Sequence, residues 1–280
     1  MFIVRSLSIL IVPAFLLSAC GKPLVLPPDE VIRRAVIRSN TVESVAVSLS
    51  ADIHTEESAA FSGSVIVQSV IRSGGHAWTA DTSFNVESAM NRGHERASGR
   101  LVLVSPGTGR TYIRLESAEG TLGQLLRKSF TGSSNGWMFY GEESLTKPAK
   151  RQAPDPVMLS SYADALHVTE DLGTIKHPSG RTLYHYRVSL RSETLSAMPD
   201  GGSVEAASSL SAQGEMWIDT SDFSLARVVW NVRGVPTTLG LVTLHADALF
   251  SDYDSAAQIQ TPVGTAATLP LESIFAIFSS

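Results

Sequence analysis

Cysteine and positive charge are both scarce in this chain. Cys20 is the only cysteine among 280 residues, which excludes disulfide bonds and thiolate metal sites inside a folded domain. Lysine and arginine total 22 against 27 acidic residues, giving a net charge of −5. A nucleic-acid partner would require a basic stripe, so we expect none. The fold must depend on its apolar core.

Recognisable catalytic and metal-binding patterns are also missing. The seven histidines are scattered, and no predicted helix carries a His-x-x-x-His or His-Glu-x-x-His pair. Residues 132–136 spell a nucleophile elbow, but there a helix precedes the serine and a strand follows it, the reverse of the required order. Asp252 and Asp254 lack the glycine and distal glutamate of a calcium loop, so we predict a turn with solvated carboxylates. We predict hydrogen-bonded structural roles for His185 and His245, and no enzyme activity, cofactor or metal site.

An apolar run marks the N-terminus. Arg5 is the only charged residue before Lys22, and the mainly apolar residues 6–17 have the length of a signal-peptide core, too short to span a bilayer. Leu17-Ser18-Ala19-Cys20 follows and resembles the bacterial lipoprotein lipobox. The resemblance implies that Cys20 receives a diacylglyceryl thioether and becomes the new N-terminus. An ordinary secretory signal, or an uncleaved anchor with an incidental cysteine, is the alternative.

These features divide the first 28 residues into two parts. Residues 1–19 form the predicted signal peptide, and residues 20–28 are the lipidated cysteine with a proline-bearing, extended tether. No later segment is apolar and long enough to span a membrane. Two or three acyl chains would supply stable attachment where one would not.

Alternating apolar and polar residues dominate the sequence after residue 44. Residues 45–53 place Val, Val, Leu, Ala and Ile on one face, which predicts a half-buried strand, and residues 77–87 repeat the pattern. Further strands are predicted at residues 64–72, 99–104, 111–115, 136–140, 181–190, 214–219, 226–232 and 241–250. Helices are predicted at residues 29–40, 120–130 and 155–166; Met158, Tyr162, Ala165 and Leu166 share a face of the third.

This order of elements predicts a mainly β (α+β) fold. A tight connection at residues 220–222 favours antiparallel pairing, and no linker separates two self-sufficient halves. We therefore expect one domain at residues 29–263, a single curved antiparallel sheet forming a half-open barrel with a few helices as lid or plug.

An apolar tail follows at residues 264–280. Leu271, Ile274, Phe275 and Phe278 have the spacing of one helix face. So short a helix must dock to be stable. It either closes a cavity as a gate or packs permanently against the N-terminal helix.

The apolar strand faces supply the candidate binding site. A packed core is the ordinary explanation for such faces. A sheet of this size, however, encloses more volume than three helices can fill. We therefore predict a ligand cavity lined by Val47, Leu49, Trp78, Phe84 and Val86.

Two C-terminal patterns carry a family resemblance. Residues 249–254 followed by Ile259-Gln260-Thr261-Pro262, and residues 214–219 followed by 225–228, are similar to a closing strand with an Ile-x-x-Pro ending and to the hairpin before it. With the lipobox, the tether and one helix leading into a long meander, they resemble the LolA/LolB-like lipoproteins, and most closely the mycobacterial-type lipid-carrying lipoproteins. The resemblance implies a half-barrel that binds acyl chains in a hydrophobic cavity, and it assigns no catalytic residue.

The function expected from these features is that of an extracytoplasmic lipoprotein anchored to the membrane through acyl chains on Cys20. It would bind or carry lipids or lipidated molecules. The alternative is an envelope interaction or sensor module that uses the same fold to bind a protein partner. Gly21, rather than the aspartate associated with inner-membrane retention, follows Cys20. This favours the outer membrane if the organism has one, and otherwise the outer face of the cell membrane.

Overall fold

The computed structural model describes residues 26–55, 61–72, 77–88, 95–107, 110–130, 136–141, 166–190, 211–237, 240–256, 258–263 and 267–268. The helices there are α1 (Pro28–Thr41) and α2 (Gly120–Ser129). The strands are β1 (Ser44–Thr55), β2 (Phe61–Arg72), β3 (Ala77–Ser88), β4 (Glu95–Ser105), β5 (Arg110–Glu119), β6 (Trp137–Gly141), β7 (Leu166–Lys176), β8 (Thr182–Leu190), β9 (Ser211–Asp219), β10 (Leu225–Thr237), β11 (Gly240–Ser251) and β12 (Ala267–Thr268). Neither described helix is long and apolar enough to cross a membrane. Cys20 and the apolar residues of the predicted tail lie outside the described residues.

All the described strands belong to one sheet. Their order is β12-β6-β5-β4-β3-β2-β1-β11-β10-β9-β8-β7, and every neighbouring pair is antiparallel except the short β12 beside β6. Two meanders of hairpins, β1–β5 and β7–β11, meet where β1 pairs with β11, with Val47 opposite Phe250. The sheet is curved and open, because its two edges are not paired with each other in the described part of the chain. The mainly β, half-open fold expected from the sequence is confirmed.

The main core lies between α1 and the β7–β11 half of the sheet. Asp29 and Glu30 in the first turn and Arg38 in the last turn oppose the helix dipole, and Pro28 suits the first turn. The helix buries an apolar stripe against the strands: Val31, Ile32, Ala35 and Val36 pack with Leu166, Tyr186, Val188, Met216, Ile218, Leu225 and Val228. Burial raises the pKa of Tyr186 to about 12. We call the side of the sheet that α1 covers the inner face.

A clamp formed by Arg38, Tyr253 and Asp254 fixes the end of α1 to the sheet. The Asp254 carboxylate accepts hydrogen bonds from Arg38 Nη2 and from the backbone N–H of Glu43, each at 2.7 Å. The Tyr253 hydroxyl donates to the Leu225 carbonyl at 2.8 Å, beneath the Arg38 guanidinium. The Arg38 hydrogen bond lowers the pKa of Asp254, and burial raises the pKa of Tyr253.

The second helix, α2, covers a smaller part of the inner face over β4 and β5. Gly120 begins it with a φ of 82°, and a Cβ there would lie 2.1 Å from the Arg96 carbonyl oxygen. Only glycine fits this close reversal from strand to helix. Beyond the helix, Phe130 contacts a small cluster of Leu101, Leu103, Ile113 and Met138.

The prediction for Leu166 is wrong. This residue does not end a helix; it begins β7, a strand of 11 residues that the sequence does not reveal. The pairing of β7 with β8 shifts between Val168 and Glu170 and again between Asp171 and Thr174. Each bulge breaks the two-residue period that identifies a strand. The rest of the predicted third helix, at residues 155–165, lies outside the described residues.

The predicted turn with solvated carboxylates is confirmed, since Asp252 and Asp254 are both exposed; Asp254 in addition serves the clamp. The prediction for the two strand histidines is confirmed. His185 Nε2 lies 2.8 Å from Glu215 Oε2, and His245 Nδ1 lies 2.8 Å from Asn231 Oδ1.

Candidate functional site

The inner face continues from the core onto β1–β4 as an apolar surface. Leu49 pairs with Val67, Val67 with Thr82, and Thr82 with Leu101. Paired residues point to the same side of a sheet. The face therefore consists of Val45, Val47, Leu49, Ala51 and Ile53 on β1; Phe61, Gly63, Val65, Val67, Ser69 and Ile71 on β2; Trp78, Ala80, Thr82, Phe84, Val86 and Ser88 on β3; and Ala97, Gly99, Leu101, Leu103 and Ser105 on β4. None of these side chains is charged, but Glu95, which pairs with Ser88, adds a carboxylate at the end of the same face on β4. We call this surface the apolar floor.

The apolar floor is less covered than the main core. Val31 on α1, and Val188, Met216 and Ile218 beneath this helix, are each 0% exposed. Most large side chains of the floor, by contrast, are only half-buried, including Leu49, Val67, Trp78, Phe84, Val86 and Leu101. Of the helices that the structure describes, only α2 packs on β4 and β5. The floor thus offers apolar surface that the described helices do not fill.

Gly99 allows an aromatic ring to lie close to the sheet. A Cβ on Gly99 would lie 2.9 Å from Phe84 Cζ and 2.3 Å from the Ser117 carbonyl oxygen. The Phe84 ring therefore occupies space that a side chain on β4 would otherwise fill. At Gly63, by contrast, the nearest atoms would be 3.5 Å away and Phe61 Cζ 3.7 Å, which is ordinary contact.

The outer face of the same strands is polar and internally paired. Arg100 on β4 forms a two-pronged ion pair with Asp81 on β3, and this hydrogen bonding lowers the pKa of Asp81. On the other half of the sheet, the Trp217 ring stacks on His185 at 4.4 Å, and the Arg227 guanidinium lies 5.0 Å from its centroid. These ion pairs and ring contacts lie on the side of the sheet away from the floor.

Two small cavities lie elsewhere in the described residues, and both have mostly polar linings. One of about 280 Å³ adjoins the first turn of α1, between Asp29 and residues 167–171. The other, of about 190 Å³, opens on the outer face and is lined by Asp52, His54, Ser62, Gly63, Ser64, Asn85 and Glu87. No cluster of three histidine, cysteine or acidic residues suited to a metal ion occurs in the ranges that the structure describes.

The structure places all five predicted cavity residues, Val47, Leu49, Trp78, Phe84 and Val86, on the apolar floor. Their contact with a ligand stays a prediction. Val65, Val67, Leu101 and Leu103 belong to the same floor but were not among the predicted site residues. On β2 and β4, which carry these residues, apolar and polar residues alternate as in a half-buried strand. Gly63, Ser69 and Gly99 interrupt this pattern on the apolar face.

No protein-family model and no curated protein matches the chain. Among solved structures, the chain is similar to LprF from Mycobacterium bovis, with 11% identity, a TM-score of 0.44, and coverage of 84% of this chain and 97% of that one. It is similar to a LolA superfamily protein from Nitrosomonas europaea, with 10% identity, a TM-score of 0.25, and coverage of 85% and 96%. A DUF1329 family protein from Desulfovibrio piger follows with 9% identity, a TM-score of 0.24, and coverage of 84% and 93%. At such low identities and TM-scores, function is inferred from the geometry of this chain itself.

Proposed function

We propose that this protein binds acyl chains of lipids or lipidated molecules on the apolar floor while anchored to a membrane through Cys20. The observation that carries the proposal is the floor itself: four neighbouring strands present large, half-buried apolar side chains, with Glu95 as a charged residue at the end beside Ser88. On the other half of the sheet, α1 covers the side chains at the equivalent positions.

The chemistry of the floor suits a hydrocarbon chain. The strands beneath it use their backbone N–H and C=O groups in ladders on both sides, so the floor offers few hydrogen bonds to a peptide in extended form. An acyl chain needs none. Removing ten methylene groups from water would contribute about 8 kcal/mol before ordering costs.

The proposed anchor would keep the floor close to a lipid source. Seven residues separate Cys20 from Pro28, the first residue of α1, and the eight Cα-to-Cα steps between the two can span at most about 29 Å. A domain held so near a membrane meets lipids and other lipoproteins at high local concentration. Extracytoplasmic location at a membrane surface follows from the same proposal.

The binding test uses two adjacent residues on β2 that point to opposite faces. Val67 lies on the apolar floor, and Ile66 is 52% exposed on the outer face. We expect Val67→Glu in residues 20–280, made without lipidation, to weaken binding of the neutral apolar dye N-phenyl-1-naphthylamine at least tenfold, because a carboxylate would be buried against hydrocarbon. The matched control, Ile66→Glu, adds the same charge to the same strand and should leave binding unchanged.

Equal effects of the two substitutions, or no dye binding by the unsubstituted chain, would contradict the proposal. Native mass spectrometry of the same protein adds a second readout. Co-purified lipid supports the carrier, whereas a stoichiometric protein partner without lipid would support the interaction module.

The anchor has its own test. Cys20→Ala should abolish incorporation of a fatty-acid probe and leave the chain uncleaved or soluble, because the sulfur that carries the diacylglyceryl group is gone. Unchanged labelling would contradict lipidation of Cys20, whereas the proposed lipid binding on the apolar floor would stand.

A further inference from the structure

Ser88 is a buried hydroxyl without a hydrogen-bond partner at one end of the apolar floor. The side chain is 6% exposed, and its Oγ has no partner. As the last residue of β3, it follows Phe84 and Val86 on the same face. An unsatisfied buried hydroxyl destabilises a fold, whereas alanine of nearly the same size would not. Structure alone therefore does not account for a serine here.

Three other buried serines, Ser39, Ser44 and Ser224, have hydrogen-bond partners. Ser39 Oγ donates to the Ala35 carbonyl at 2.9 Å, Ser224 Oγ donates to Asp222 at 2.7 Å, and Ser44 Oγ accepts from the Ala256 N–H at 3.1 Å. Thr55, also at this end of the sheet, exchanges hydrogen bonds with the backbone of Phe61 at 3.3 Å. Ser88 differs from all of them in that its Oγ is buried without a hydrogen-bond partner.

The residues around Ser88 determine which polar group of a ligand could bind its hydroxyl. Phe61 on β2 and Glu95 on β4 lie directly opposite it, and both are half-buried at the ends of their strands. Directly opposed residues have Cβ atoms about 5 Å apart, so the Glu95 carboxylate would repel a free fatty acid. A neutral acceptor avoids this repulsion. Ester carbonyls are the neutral acceptors that join acyl chains to glycerol.

We propose that Ser88 donates a hydrogen bond to the ester carbonyl of the bound acyl chain and so fixes the direction in which the chain lies. The proposal rests on the lipid-binding function proposed above. One acyl chain covers roughly 15 Å, half of a bilayer's hydrocarbon core. At about 3.3 Å per strand residue, a chain held at Ser88 would pass Val86 and Phe84.

The experiment compares an ester with an ether of the same shape. Displacement of N-phenyl-1-naphthylamine from residues 20–280, which include every described residue, is measured with 1-monomyristoylglycerol and with 1-O-tetradecylglycerol, which lacks only the carbonyl. We expect the unsubstituted protein to prefer the ester about fivefold. Ser88→Ala should abolish the preference while leaving ether affinity and the melting temperature undiminished. The matched control is Ser83→Ala, on the outer face of the same strand, and it should keep the preference.

The possible results separate this inference from the proposed function. Binding of both compounds without an ester preference, or a preference that survives Ser88→Ala, overturns the role of Ser88 alone. A lower melting temperature with equal weakening of both compounds would show a merely structural serine. Failure of the dye to bind at all would overturn the proposed function, and this inference with it.

Discussion

The two halves of the sheet share the same alternation of apolar and polar residues, but their inner faces differ in how deeply they are buried. Under α1, the inner residues of β7–β11 are sealed, and Val188, Met216 and Ile218 have no exposed surface. On β1–β4, most large inner-face residues are half-buried, although Val45 and Ile71 are buried. A separate small buried cluster consists of Ile113 and Met138. Alternation alone therefore does not decide whether a strand face becomes core. Whether a strand face becomes core depends on whether a helix packs on it.

Placement of α1 follows from contacts remote in sequence. The helix is tied to the turn after β11 through Arg38 and Asp254, 216 residues apart. The same turn is joined to the β10 backbone by the Tyr253 hydroxyl. These contacts hold the helix over β7–β11 and leave it off the neighbouring floor.

Matched leucines give the largest expected difference between the halves. Leu225, 1% exposed, belongs to the core under α1, whereas Leu49 is half-buried on the floor. We expect Leu225→Ala to lower the free energy of unfolding by about 3–4 kcal/mol, because it leaves a cavity. Leu49→Ala should cost only about 1 kcal/mol, because less buried surface is lost.

Urea unfolding of the two variants measures both values. Equal losses would show that the floor is packed as tightly as the core, and the distinction between the halves would then fail. Dye binding by Leu49→Ala separates the two roles further: it should weaken, while Leu225→Ala, if folded, should bind as before.

Two glycines sharpen the description of the floor. We expect Gly99→Ala to cost about 2 kcal/mol, because the new methyl would overlap the Ser117 carbonyl and the Phe84 ring. Gly63→Ala should be nearly neutral, since its nearest neighbours would be 3.5 Å away. Thermal unfolding compares the two, and a Gly99→Ala variant as stable as Gly63→Ala would mean that Phe84 does not lie against β4 as described.

The clamp that places α1 gives the smallest expected effect, on the order of 1 kcal/mol for Asp254→Asn. Because the pKa of folded Asp254 lies below its ordinary value, the ionised carboxylate stabilises the fold above the unfolded pKa of about 3.9. That stabilisation is lost as the pH falls through the folded pKa. The difference between the unsubstituted protein and Asp254→Asn should therefore be full at pH 7 and shrink below about pH 4. Urea unfolding across this range is the measurement, and a difference that grows on acidification would contradict it.

Local patterns predicted most of the fold. The clean alternation of residues 45–53 and 77–87 identified β1 and β3 and their inner faces, because apolar and polar residues alternate along both segments. Gly120 and the leucines after it revealed α2. The sequence failed at β7, where two bulges remove the period.

The candidate site was predicted only in part. Val47, Leu49, Trp78, Phe84 and Val86 stand on regular strands, so their common face could be inferred. Register, however, depends on pairing between distant segments. Only the three-dimensional structure shows that Val67 and Leu101 belong to the same floor. It also shows that Ser88, at the end of the floor, has no hydrogen-bond partner.

Photo-crosslinking tests the difference between the halves most directly. An acylglycerol with a diazirine in its chain would be bound to residues 20–280 and irradiated, and the adducts would be located by mass spectrometry of peptides. We expect adducts on inner-face residues of β1–β4, such as Leu49, Val67, Phe84 and Val86, and none on Val188, Met216 or Ile218. Adducts confined to the β7–β11 half, or to outer-face residues such as Ile66, would contradict it.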